Sequence, residues 1–284
     1  MKISIVTPCY NAEKYIAETI ESVIGQGGDF RIEYIVVDGA STDGTLEIVE
    51  HYRKRIETGL FPVRCRGAEI KLVSEKDRGM YEALAKGLKA STGEAVAYIN
   101  ADDFYQPNAF DAVSRIFKKY GAVHWLTGIP VLYDERGKVA GSHLPLGYDR
   151  KLILKGMYGR TLPFIQQESI FFRRDLIKSI DLEKLGSFRL AGDYYLWATF
   201  AKHTDLYLVH AYLSGFRTRH GQLSSDRSGY LKELGEIAGR SNAVDHTRAF
   251  LTKIAEHLLP VGIKKAAGRK TIYLDHKGEW RLRP

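Results

Sequence analysis

The stretch Ala95-Val96-Ala97-Tyr98-Ile99-Asn100-Ala101-Asp102-Asp103-Phe104 decides the fold. An apolar run entered from Thr92-Gly93 and closed by polar residues predicts a strand buried on both faces. It ends in two adjacent carboxylates, which repel each other unless a cation or strong donors lie between them. Asp is also a poor strand residue, so the pair marks the end of the run. Open α/β sheets take their ligands at that end of their strands. The plain alternative is a solvated turn, with Asp102 and Asp103 capping whatever follows Pro107.

Three earlier stretches repeat the arrangement. Residues 3–7 form a strand stopped by Pro8, and Asn11 is placed to cap a helix carrying Tyr15, Ile16, Ile20, Val23 and Ile24 at helical spacing. Residues 33–38 form a second apolar strand, again finishing on an Asp, before a helix over 45–55. Residues 70–74 form a third, followed by the loop 75–79 and a helix over 80–89. Strands alternating with helices at this spacing imply βαβ units and a parallel sheet. Asp38, Asp77 and the Asp102/Asp103 pair then converge on one rim, beside Thr7-Pro8-Cys9-Tyr10. Four carboxylates on one rim favour a ligand site over four separate caps.

The second half is mixed. A helix is expected over 107–120, a strand over 122–127, and a hairpin over 131–140 turning at Asp134-Glu135-Arg136-Gly137. Strands at 169–172 and 205–214 flank helices that start near Arg174 and at Gly192-Asp193. Phe250, Leu251, Ile254 and Leu258 lie on one face of a helical, basic C-terminal region.

With 44% hydrophobic and 27% charged residues, the 284-residue chain has the composition of a soluble globular protein. It contains no apolar run of membrane-spanning length and opens without a leader pattern, so a cytoplasmic location is expected. Two cysteines make neither a disulfide framework nor a metal cluster. The net charge is +8, and the segment after Pro260 carries five of these eight charges. Such a balance favours an anionic partner. No RNA-binding signature or interleaved aromatic and basic stripe accompanies it, which argues against nucleic acid.

The motifs Thr7-Pro8-Cys9-Tyr10-Asn11, Val36-Val37-Asp38-Gly39-Ala40-Ser41-Thr42-Asp43-Gly44-Thr45, Ser74-Glu75-Lys76-Asp77-Arg78-Gly79-Met80-Tyr81 and Ile99-Asn100-Ala101-Asp102-Asp103 follow one another across residues 1–105. In that order they resemble the successive motifs of a family 2 glycosyltransferase. Gln166-Gln167-Glu168-Ser169 and Ala191-Gly192-Asp193-Tyr194 extend the likeness, which fades beyond residue 225. The resemblance implies a GT-A fold: a Rossmann-like, mostly parallel sheet flanked by helices. Residues 1–105 would be its nucleotide-sugar half, 106–225 its acceptor half, and 226–284 a helical basic extension.

It further implies a nucleotide-diphosphate sugar donor, Mg²⁺ or Mn²⁺, and inversion at the anomeric carbon. The acceptor would be a saccharide or lipid-linked hydroxyl in cell-surface polysaccharide or glycolipid synthesis. On this likeness Asp38 reads the base, Thr7, Pro8 and Tyr10 line the nucleoside pocket, and Asp77 and Arg78 close over it. Asp102 lies near the ribose or diphosphate, Asp103 holds the metal, and His220 adds a metal or phosphate contact. Asn100, Ala85 and Gln166 depart from the family pattern, each removing one expected side-chain contact.

The chemistry agrees. A departing diphosphate needs its charge neutralised, and Mg²⁺ asks only one or two protein carboxylates to hold it there. The acceptor hydroxyl must lose a proton, and Asp193, among Tyr194, Tyr195 and Trp197, can take it. Gly192-Asp193 before a helix is also an ordinary N-cap signal, and both roles can hold. Cys9 has no neighbouring base in sequence and is expected to pack. A sugar nucleotidyltransferase would carry a Gly-rich, Arg-containing loop after its first strand, and a dehydrogenase G-x-G-x-x-G; neither is present. A non-catalytic nucleotide-binding module is the remaining rival. The basic tail admits contact with an anionic membrane surface, although docking of its apolar face onto the rest of the chain is the stronger expectation.

Overall fold

A computed structural model describes all 284 residues. From the N-terminus, β1 (Lys2–Cys9), α1 (Ile16–Ile24), β2 (Arg31–Asp38), α2 (Thr45–Glu57), β3 (Ala68–Ser74), α3 (Met80–Ala90) and β4 (Ala95–Tyr98) form the expected strand–helix units. Their strands pair in parallel in the order β4-β1-β2-β3. Both faces are buried, which is why these strands are apolar throughout. Ile3, Ile5, Tyr34 and Val36 face the core beneath α1 and α2, while Val6, Ile35 and Val37 face the one beneath α3. Gly87 lets α3 approach the sheet closely, since a Cβ there would meet Val6 Cγ1 at 2.2 Å.

The chain continues through β5 (Phe104–Tyr105), α4 (Ala109–Lys119), β6 (Trp125–Thr127), β7 (Val131–Tyr133), β8 (Val139–Ser142), α5 (Arg150–Leu154) and β9 (Phe171–Arg173). It then forms α6 (Leu182–Ser187), α7 (Gly192–Ala201), β10 (Leu206–Val209) and β11 (Ser214–Arg217). β9 runs antiparallel between β4 and β6, and β10 lies parallel to β6. A second sheet has the order β5-β11-β7-β8 and contains the expected hairpin after Val131. The last elements are α8 (Arg227–Ile237), α9 (Ala243–Leu258), α10 (Val261–Ala267), β12 (Thr271–Leu274) and β13 (Trp280–Arg283).

Several expectations are corrected. The opening stretch is a strand only to Tyr98; it then turns, with the Asp103 N–H donating to Asn100 O at 3.2 Å, and re-emerges as β5 in the other sheet. The single strand expected over 205–214 is two, β10 and β11, in different sheets. Residues 174–179 form a 3-10 helix. Asn11 does not cap α1: it has φ +48°, and its side-chain oxygen accepts the Thr42 N–H at 2.9 Å. The segment after residue 225 is not helical throughout, because β12 joins β10 in parallel and β13 closes the edge as a hairpin. The apolar face of α9 does not dock: Phe250, Leu251, Ile254 and Leu258 are exposed, and only Ala249 is buried. No helix is long and apolar enough to cross a membrane.

One buried carboxylate ties the start of the sheet together. Glu33 of β2 accepts from Lys71 Nζ (2.6 Å), Thr92 N (2.7 Å), Thr92 Oγ1 (2.7 Å) and Ser4 Oγ, with its own side chain fully covered. Burial alone would raise its pKa, but these donors outweigh it and hold the group down at about 2. The folded value is depressed, so this stabilisation is present above the ordinary glutamate range and is lost as pH falls toward 2. Glu33→Gln is therefore expected to cost about 2 kcal/mol at pH 7. The difference from wild type should shrink by pH 3, as read by urea unfolding at both pH values.

Candidate active site

The carboxyl ends of β1 to β4 open into a cleft of about 1160 Å³. Short loops place its floor: Pro8 and Tyr10 follow β1, Gly39 and Ala40 follow β2, Asp77 follows β3, and Asn100 and Asp102 follow β4. Its far wall comes from Gln166–Glu168 and from Asp193 at the start of α7. Arg217, Arg219 and His220 enter from β11 and the loop after it, and Tyr230 from α8. A space of this size holds a ligand larger than one sugar or one nucleoside.

The residues expected around the nucleoside divide into wall and support. Pro8 and Tyr10 line the cleft, and the Tyr10 ring is 63% exposed, a free face for stacking. Asp77 lines it too; burial raises its pKa, while the Gly79 N–H donating at 2.8 Å opposes the rise. Thr7 lies inside the core, where its hydroxyl accepts from Tyr34 OH at 3.1 Å, and does not reach the cleft. Asp38 is also enclosed. Its carboxylate accepts from Ser41 N (3.0 Å), Ser41 Oγ and Ser74 Oγ (2.8 Å), so it shapes the loop whose Gly39 and Ala40 form the surface. Arg78 points away from the cleft and pairs with Glu82 on α3 at 2.6 Å. Cys9 is buried and free, and burial followed by the charge of Asp38 keeps its thiol protonated.

Asp102 and Asp103, in the turn between β4 and β5, go opposite ways. Asp102 faces the cleft and pairs with Arg219. Asp103 faces inward, accepting the Arg217 N–H at 2.8 Å and the Asn100 amide at 3.4 Å. Burial, then the charge of Asp102, drives the Asp103 pKa well above the usual range. Asp103, the residue expected to hold a metal, thus has its oxygens engaged inside the protein, whereas Asp102 turns its carboxylate to the cleft. His220 lines the cleft one residue from Arg219 and is exposed.

No three His, Cys, Asp or Glu side chains gather to cage a cation. The oxygen donors present, the Asp102 carboxylate and the unpartnered Oδ1 of Asn100, nonetheless suit a hard divalent ion that completes its shell with phosphate oxygens and water.

At the far wall Asp193 is not the N-cap of α7, a position held by Ala191. It stands in the first turn, where Oδ1 accepts the Tyr194 N–H at 2.6 Å. Burial pushes its pKa up to about 7 against the pull of that N–H and of the Tyr230 and Tyr81 hydroxyls beside it. Gly192 permits the approach, since a Cβ there would fall 2.4 Å from the Tyr81 ring. Glu233 of α8 accepts the N–H groups of Arg189 (3.0 Å), Leu190 (2.9 Å) and Ala191 (2.7 Å), fixing the chain that leads into Asp193.

Sequence reasoning missed Tyr230 and Glu233 because they follow the last motif. The guanidinium of Arg217 is 5% exposed, donating to the carbonyls of Asp102 (2.9 Å) and Glu135 (3.2 Å) and pairing with Glu18.

A largely parallel sheet whose strand ends open on a cleft with cations at one end and an elevated carboxyl at the other is the architecture of a GT-A glycosyltransferase. The chain belongs to glycosyl transferase family 2, whose family model matches residues 4–181. Among curated relatives, the poly(ribitol-phosphate) β-N-acetylglucosaminyltransferase TarS of Staphylococcus aureus is 35% identical over 107 residues, 37% of this chain and 17% of TarS. The putative teichuronic acid biosynthesis glycosyltransferase TuaG of Bacillus subtilis is 29% identical over 133 residues, 47% of this chain and 48% of TuaG. The chain thus spans under half the length of these relatives. Among solved structures, S. aureus TarS 1–349 in complex with UDP-GlcNAc superposes with a TM-score of 0.58 at 19% identity, covering 90% of this chain and 72% of that one. The mannosyltransferase PcManGT of Pyrobaculum calidifontis, in complex with GDP-Man and Mn²⁺, gives 0.55 at 20% identity, covering 93% and 73%.

The Glu233 contacts make α8 part of the site. Glu233→Ala strands three backbone donors and is expected to cost about 2 kcal/mol of stability. It should also lower transfer at least about tenfold by freeing the Asp193 approach. Thermal unfolding and initial rates check both, and a fully active, fully stable variant would contradict this account.

Proposed function

We propose that the protein transfers a sugar from a nucleotide-diphosphate donor to a hydroxyl acceptor with inversion, in the synthesis of a cell-surface polysaccharide or glycolipid. The observation that carries this is the single cleft joining Asp102 and its flanking arginines to Asp193. Relatives named as a poly(ribitol-phosphate) β-N-acetylglucosaminyltransferase and a putative teichuronic acid biosynthesis glycosyltransferase support the pathway class.

The nucleoside rests on Pro8, Tyr10 and the Gly39-Ala40 turn, with Asp77 at its edge. Arg219 faces the diphosphate, exchanging its pairing with Asp102 for phosphate oxygens, and Arg217 beneath it holds the Asp102 carbonyl in place. Asp102, with Asn100 beside it and His220 in reach of the same wall, would hold Mg²⁺ or Mn²⁺. That ion supplies Lewis-acid stabilisation to the departing diphosphate. The acceptor oxygen forms a bond to the anomeric carbon as the bond from that carbon to the phosphate oxygen breaks. The hydroxyl proton passes to Asp193, and one displacement from the opposite face inverts the centre.

Asp193 must be ionised to accept that proton, so transfer rises with pH through about 7 and levels off above it. Asp193→Asn is expected to lose transfer about 10²-fold or more. Binding of UDP or GDP should stay within about twofold of wild type. Rate assays beside calorimetric nucleotide titration test this, and an active variant, or one that loses nucleotide binding equally, would count against the base assignment.

The membrane contact rests on the undocked face of α9 and α10. Phe250, Leu251, Ile254, Leu258, Val261 and Ile263 are exposed there alongside Lys253, Lys265 and Arg269. Apolar side chains among cations suit an anionic bilayer surface, where each basic residue contributes about 1 kcal/mol. Phe250→Glu with Leu251→Glu should abolish sedimentation with vesicles containing phosphatidylglycerol and leave donor turnover in solution unchanged. Equal sedimentation of variant and wild type would remove the membrane from this account.

A further inference from the structure

Eleven buried side-chain nitrogen and oxygen atoms lack a hydrogen-bond partner. Four of them are amide or carboxyl oxygens: Asn100 Oδ1, Gln166 Oε1, Gln167 Oε1 and Glu168 Oε1. All four belong to residues on the cleft wall, and none of the other seven does. Chance does not gather unsatisfied acceptors in one place, because each unpaired buried acceptor is destabilising. Asn100 stands two residues from Asp102, on the cation side. The other three are consecutive.

Their backbone leaves them little freedom to find partners elsewhere. Residues 167–169 form a short 3-10 turn closed by the Ile170 N–H on Gln167 O at 3.0 Å. Ser169 Oγ lies 2.8 Å from Thr127 Oγ1, and Gln167 Nε2 donates to Tyr98 O at 3.3 Å. Glu168 is 1% exposed. Its pKa is pushed up to about 8, by burial first and then by the charge of Asp193, and no cation offsets the rise. Glu168 in turn helps raise Asp103, so it lies within electrostatic reach of both ends of the cleft. At neutral pH its carboxyl keeps a proton and can both donate and accept, as a sugar hydroxyl does.

We propose that Gln166, Gln167 and Glu168 form the subsite for the transferred sugar, and that this subsite takes a neutral, hydroxyl-rich pyranose and rejects a uronic acid. The proposal rests on the nucleotide-sugar reading above. Hydroxyl and amide N–H groups satisfy an acceptor-rich wall. A sugar carboxylate would bring a negative charge against two buried acids, Glu168 and Asp193, neither of which has a cation among the groups that set its proton affinity, and burying a charge without a close partner is strongly disfavoured.

Calorimetric titration at pH 7 with UDP, UDP-glucose, UDP-GlcNAc and UDP-glucuronate, and with GDP and GDP-mannose, tests it. Wild type should bind UDP-glucuronate at least about tenfold more weakly than the preferred neutral UDP-sugar, or, should guanosine be preferred, bind GDP-mannose more tightly than GDP. Glu168→Leu should leave UDP and GDP affinity within about twofold while sugar-nucleotide affinity falls about tenfold. Glu168→Gln, which mimics the protonated acid, should restore most of it and serves as the readout if the leucine variant does not fold. The subsite is overturned if Glu168→Leu keeps the wild-type ratio of sugar-nucleotide to nucleotide affinity, if Glu168→Gln loses as much as leucine does, or if wild type binds the glucuronate as well as a neutral sugar. Wild type binding neither UDP nor GDP would instead sink the donor reading, and the subsite with it.

Discussion

The buried carboxyl of Asp103 holds the Arg217 N–H across a separation of 114 residues, and the rest of the site depends on that contact. It pins β11 of the small sheet against the turn that ends β4. The Arg217 side chain then reaches back to the Asp102 carbonyl and across to Glu135, while Arg219 meets the Asp102 carboxylate. Two adjacent acids that would repel each other are separated in this way: one turned inside the protein, one offered to the cleft. A buried acid with fixed donors is strongly direction-setting, because losing either partner leaves the other unpaired.

The cleft is consequently polarised. Arginines from β11 and the following loop collect at the end where Asp102 lies, and an elevated carboxyl, Asp193, stands at the other. Such preorganised charge is effective in chemistry because it needs no rearrangement as charge moves from acceptor to leaving group. Asp193 depends in turn on α8, whose Glu233 ties down the preceding loop and whose Tyr230 moderates its proton affinity. The segment beyond residue 225 is thus joined to the site as well as to the sheet.

The first four strands were legible in the sequence because a strand covered on both faces must be apolar at every position, and Ile32 to Val37 is almost uninterrupted. Their acidic ends gave the rim. Which of Asp102 and Asp103 faces outward was not legible, since alternation says only that they differ, and the turn after Tyr98 resets the phase. Thr7 and Asp38 sit in motif positions but act from beneath the surface, and residue type does not distinguish a wall from its support. β12 and β13 escaped notice because four-residue strands among basic residues carry little periodic signal. α8 buries only Leu234, so nothing in its pattern marked Tyr230 or Glu233 as inward-facing.

The pairing of β12 with β10 has a consequence for how the chain is made. During synthesis β10 leaves the ribosome well before its parallel neighbour exists, with the whole of α8 to α10 still to be translated. Until β12 and β13 arrive, the nascent protein carries an open sheet edge able to pair with another chain. A message stalled within that interval would release a polypeptide whose cleft-facing strands β1 to β4 are complete and whose flank remains adhesive, a natural substrate for chaperones.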